Sequence, residues 1–174
     1  MTRYAAFLRG VSPMNLKMPV LQAALEEDGF TEVRTLLSSG NVVFSGRRMS
    51  DATIEKKVVA TIEKNVGKTF GVIIRSIAEL QALIDAEPYR AFRLPAGSKR
   101  VVTFLRTEPE TKLKLPPVLH GARIWTVRGR EALSSYVHSD KGPVFMTLIE
   151  KTFGKDVTTR TWDTVLKVGK AGAG

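Results

Sequence analysis

Apolar and polar residues alternate along the chain, then recur every three to four positions, then alternate again, and this succession runs through the chain twice. Tyr4–Arg9 reads as a first strand. Leu21, Ala24 and Leu25 form an apolar stripe on a helix that begins near Met18, carries Pro19 in its first turn and stops at Gly29. Residues 34–44 then read as a hairpin, in which an apolar strand turns through Ser38, Ser39, Gly40 and Asn41 and returns as Val42, Val43 and Phe44. Ile54, Val58, Ile62 and Val66 recur every four residues and make one face of a second helix, capped by Ser50 and ended by Gly67. Residues 69–75 supply a fourth strand. The order is βαββαβ, the ferredoxin-like plan. Ser76 and Glu79 then make a capping box for a third helix that must stop before Pro88.

Residues 88–98, with two prolines and a glycine, read as a connector, after which the pattern starts over. Residues 100–106 form a strand, and Thr107 with Glu110 caps a short helix that Pro116 and Pro117 end. Residues 122–127 and 131–138 alternate around a turn at Arg128, Gly129 and Arg130. A helix from about Pro143 to Phe153 turns Val144, Phe145, Leu148 and Ile149 inward, and Gly154 closes it. Residues 157–160 give a last strand, Thr161 caps a last helix, and Lys170–Gly174 reads as a frayed tail. The expected fold is therefore α+β. A ferredoxin-like domain with an added helix (1–87) precedes a degenerate βαββαβ-like domain (99–174).

Composition narrows the function classes. The chain has no cysteine and only two histidines, His120 and His138. Disulfides, thiolate chemistry and cysteine metal sites are excluded, and neither a metal nor a cofactor is expected. No apolar run reaches about 18 residues, so no membrane partner is expected and the plain reading is a cytoplasmic protein. The net charge of +10 is unevenly spread along the sequence. Residues 1–87 carry 11 Lys and Arg against 10 Asp and Glu, whereas residues 88–174 carry 16 against 7. A basic second half suits an anionic partner, either nucleic acid or a phosphorylated small molecule, and a merely soluble basic surface has the same composition.

Three stretches together, Phe7–Val11, Ser38–Phe44 and Thr159–Lys167, give the chain a resemblance to the bacterial family known as domain of unknown function 1697. The resemblance spans nearly the whole length and implies an α+β protein with a ferredoxin-like N-terminal part and no established activity. Relative to that pattern the loop Val11–Met14 is shorter and stiffer. Pro143–Met146 replaces a polar stretch, and Thr161 and Asp163 stand where asparagines are common.

The topology gathers loops at the end of each sheet. In the first half it should bring Arg9, Gly10, Ser12, Asn15 and Lys17 beside Ser39, Gly40 and Asn41. A cation, short polar side chains and the amides of a helix start are the ingredients of an anion site, although turn chemistry alone also accounts for Gly40 and Asn41. In the second half the same construction should gather Arg106, Arg128 and Arg130, with Glu108, Glu110 and Glu131 available as ion-pair partners. Arg160 and Trp162 would extend that anion site, Trp162 by stacking or, alternatively, as the anchor of the last helix. His138 beside Asp140 could serve as a base or be a plain surface histidine. No phosphate-binding P-loop, dinucleotide glycine motif or nucleophile elbow is present. The expectation is an anion-binding module. An enzyme of unassigned reaction with a polar pocket between the halves, and a protein-recruiting scaffold, are the alternatives.

Overall fold

The computed structural model describes residues 1–109 and 113–174. It divides them into two compact units, Met1–Asp85 with Leu166–Gly174, and Ala86–Val165. The first unit contains β1 (Thr2–Arg9), α1 (Met18–Glu27), β2 (Thr31–Leu36), β3 (Asn41–Gly46), α2 (Asp51–Val66), β4 (Gly71–Ser76) and α3 (Ile77–Asp85). Its sheet has the order β2-β3-β1-β4 and is antiparallel throughout. Alternate residues of β1, Tyr4, Ala6 and Leu8, join Leu21 and Leu25 of α1 and Ile54, Val58 and Ile62 of α2 in one core.

The local signals act as their chemistry predicts. The Ser50 hydroxyl accepts the amide of Thr53 at the start of α2, and Gly67 ends that helix at φ +75°. Ser76 likewise accepts the amide of Glu79 at 3.1 Å. These bonds satisfy amides that an isolated helix start leaves open.

The second unit repeats the plan with β5 (Lys99–Leu105), β6 (Ala122–Arg128), β7 (Glu131–Tyr136), α4 (Val144–Phe153) and β8 (Val157–Thr161). Its sheet order, β6-β7-β5-β8, matches the first position for position. Leu105, Ala122, Ile124, Ala132 and Val157 from the sheet pack with Leu148 and Ile149 of α4. The fold is thus α+β with two βαββαβ-like units.

Four expectations change. The helix expected from Thr107 does not form at 107–109 or 113–118, which are irregular; its middle, with Glu110, lies outside the described residues. The segment expected to be a connector belongs to the second unit and holds a short 3-10 turn, Pro88–Ala91. Tyr89 on that turn is buried, and its hydroxyl donates toward the carbonyls of Val101 (2.7 Å) and Ser134 (3.1 Å). Burial pushes its phenol well above the ordinary tyrosine value.

The expected tail is the end of α5 (Trp162–Ala173), which starts in the second unit and returns the chain to the first. Gly169 and Gly172 lie against Ile84 and Ile77 of α3 so closely that a Cβ at either position would collide with the isoleucine side chain. Glycine is a poor helix former, which is why the segment reads as frayed. Here its missing side chain is what lets the helix dock. The Arg3 Nε also donates to the Gly172 carbonyl at 3.1 Å.

This division redistributes the charge. The first unit carries 13 Lys and Arg against 9 Asp and Glu, and the second 14 against 8. The balances are +4 and +6, so the strong asymmetry between sequence halves does not survive as an asymmetry between compact units.

Candidate functional site

The first expected cluster assembles at one end of the first sheet. Asn41 opens β3 opposite Phe7, and the Leu8 amide donates to the Gly40 carbonyl at 2.8 Å, which places the β2–β3 turn beside the end of β1. Gly40 is required there. Its φ is +88°, and a Cβ would stand 2.9 Å from Leu8 Cβ and 3.1 Å from Val11 Cβ.

The two asparagines serve the loops. Asn41 is fully buried and its Nδ2 donates to the Leu36 carbonyl (3.1 Å) and to Ser39 Oγ (2.9 Å). Asn15 closes the loop after β1, donating to the Gly10 carbonyl at 2.7 Å and accepting the Ser12 amide at 2.8 Å. Lys17 is exposed and occupies the N-cap of α1 in an extended conformation, with no side-chain cap bond and no acid in the first turn. Arg9 is half-buried in the pair with Gly71. The rim therefore presents Arg9, Lys17 and the α1 start on a frame braced by Asn15 and Asn41.

The second cluster only partly assembles. Arg106 follows β5, and Arg128 and Arg130 flank the β6–β7 turn at the same end of the sheet, where the Leu105 amide donates to the Arg130 carbonyl at 2.8 Å. Arg106 is engaged in a bidentate pair with Asp156, Nε and Nη2 each 2.8 Å from a carboxylate oxygen. Asp156, which sequence reasoning passed over, occupies the place an anion would take. Glu131 pairs with Arg128 in the ladder, and Glu108 lies in the irregular segment after β5.

Arg160 and Trp162 are elsewhere. Arg160 sits opposite Val102 within the sheet, is 8% exposed, and donates to Thr158 Oγ1 (2.6 Å) and the Thr159 carbonyl (2.7 Å). Burial lowers its pKa to about 10, so it stays charged at neutral pH. Trp162 is at the far end, by Lys99 and Arg100, 6% exposed and edge-on to Tyr89 with ring centroids 5.4 Å apart. It anchors α5 and offers no open stacking face.

One arrangement was not visible in the sequence. His120 and His138 line the same cavity of about 360 Å³, with Tyr136 and the first turn of α4. The β6–β7 register pairs Ala122 with Tyr136, and the Val137 amide donates to the Gly121 carbonyl at 3.2 Å, which brings the turn that carries His120 beside the segment that carries His138. His120 is held at φ +45° beside Gly121 at +83° in a tight turn closed by reciprocal bonds between Leu119 and Ala122. Their 18-residue separation carries no hint of this until the register is known. Among the described residues no group of three or more His, Asp or Glu side chains is placed to hold a metal ion, and no helix is long and apolar enough to cross a membrane.

A family model described as "Protein of unknown function (DUF1697)" matches residues 1–124. No curated protein matches the chain. Among solved structures, that of the conserved bacterial protein SP0830 from Streptococcus pneumoniae is similar over 100% of this chain and 99% of that one, with 19% sequence identity and a TM-score of 0.72. At that identity the similarity is one of fold.

Proposed function

Because the chain belongs to the DUF1697 family of proteins of unknown function, we propose from its own geometry that it is an anion-binding module whose ligand is a phosphorylated small molecule. The observation that carries this reading is the rim of the first unit, where Arg9, exposed Lys17 and an α1 start without a side-chain cap lie at the sheet end that also holds the Ser39–Asn41 turn. An exposed lysine at the positive end of a helix that has no side-chain cap, with Arg9 at the same sheet end, favours a compact anion, each charge-assisted bond to phosphate being stronger than a neutral one.

The loop frame favours a small ligand over nucleic acid. Asn15 and Asn41 hold the rim in one shape. The arginines that would extend a polyanion track are paired in the case of Arg106 and buried in the case of Arg160.

Titration with pyrophosphate and a nucleoside monophosphate, followed by calorimetry, tests the proposal. The expected result is saturable binding that weakens about tenfold or more in Lys17→Glu. Duplex and single-stranded DNA across a salt series provide the contrast, since a nucleic-acid function requires affinity that falls steeply with salt. No phosphate binding at low salt would overturn the reading.

A further inference from the structure

At the opposite end of the same sheet, where β3 finishes, a recess of about 550 Å³ lies between the end of α1, the Gly46–Met49 segment and α2. Its floor is apolar, formed by Phe30, Ile54 and half-buried Met49. Two cations stand at its mouth, Arg47 and Lys57, both exposed and neither within ion-pair distance of an acid among the described residues.

The acid that lines the recess, Asp28, is already satisfied. It accepts the Thr61 hydroxyl at 2.7 Å and Lys64 Nζ at 3.2 Å. At the end of α1 the carbonyls of Ala24, Leu25 and Glu26 accept the amides of Asp28, Phe30 and Gly29. The wall at 47–49 is pinned by Tyr4, whose buried hydroxyl accepts the Met49 amide at 3.1 Å and lies 3.3 Å from the carbonyl oxygens of Arg47 and Met49.

We propose that this recess binds a free small molecule with an apolar body and one anionic head, the body on Phe30, Met49 and Ile54 and the head between Arg47 and Lys57. A volume within the usual range for ligand pockets, an apolar floor and a few convergent polar groups are what such a ligand needs. The excess positive charge at the mouth selects its sign. This site is independent of the rim at the other sheet end, so either can fail without the other.

The test uses the full chain and anilinonaphthalene sulfonate, an aromatic sulfonate that fluoresces on leaving water, beside its uncharged phenylnaphthylamine analogue. The expected result is saturable binding of the sulfonate at one site. Affinity should fall at least about tenfold in the double variant Arg47→Glu, Lys57→Glu, while the neutral analogue is unaffected. Ala60→Trp, which places a large ring at the recess from an exposed position of α2, should abolish binding of both probes. Circular dichroism melting checks that the variants fold, and all the changed side chains are exposed. Wild-type affinity in both variants would overturn the proposal, as would equal loss of both probes in the charge-reversed variant. Vesicles of phosphatidylglycerol should not sediment the protein; binding confined to vesicles would assign the surface to lipid headgroups and overturn a free ligand.

Discussion

Gly40 shows how one residue joins two loops of the first unit. Its positive φ and the nearness of Leu8 and Val11 mean that Gly40→Ala adds backbone strain and steric overlap together. The expected loss is about 2–4 kcal/mol, read from urea unfolding. Asp28 and Thr61 provide a residue-scale prediction for pH. The Thr61 hydroxyl bond, followed by Lys64, holds the Asp28 carboxyl below its ordinary value. A depressed folded-state pKa means that the interaction contributes fully above the unfolded value of ~3.9 and is lost as pH falls through the lower folded one. Thr61→Val should therefore destabilise the protein at neutral pH, and its stability should converge on that of the parent in acid; a gap independent of pH would assign the cost to packing. Asn41, expected in the turn, instead opens β3 just after it. Turn chemistry identified it, but only the closed fold shows its amide bracing Leu36 and Ser39 from a fully buried position.

Among the elements, the helices with strong punctuation were legible from one dimension. Ser50 and Gly67 bound α2, and Ile54, Val58 and Ile62 line its buried face, because caps and a 3.6-residue period are local properties. The end of α5 was not, because its stability depends on α3. Alanine in place of glycine within a helix ordinarily adds about 1 kcal/mol. At Gly172 the sign should reverse, with Gly172→Ala costing about 1–3 kcal/mol through overlap with Ile77, measured by urea unfolding. Gly174, outside the helix, is the neutral control.

Across the whole molecule, the chain leaves the first unit at Asp85 and re-enters it at Leu166. Residues 166–173 should accordingly share hydrogen-exchange protection with the strands of the first unit, and exchange as fast as an exposed tail would contradict the assignment. The same return path divides the charge as +4 and +6 between the units, so net charge distinguishes them little and local groups carry electrostatic recognition. That is why the small rim at Arg9 and Lys17 supports an anion site better than the charge of residues 88–174 does.

By itself the sequence determined most of what depends on neighbours along the chain: periods, the caps of α2 and α3, turns and, apart from the helix expected from Thr107, the order of elements and hence two βαββαβ-like units. The converging rim followed as well, since antiparallel order brings the end of β1 and the start of β3 to one edge. Tertiary structure alone decided which groups were already satisfied and which distant ones met. Asp156 takes Arg106, Tyr89 takes two sheet carbonyls, His120 and His138 line one cavity, and Arg47 and Lys57 flank an apolar recess. Such pairings are set by strand register and packing between residues far apart in sequence, quantities to which no local period or cap is sensitive.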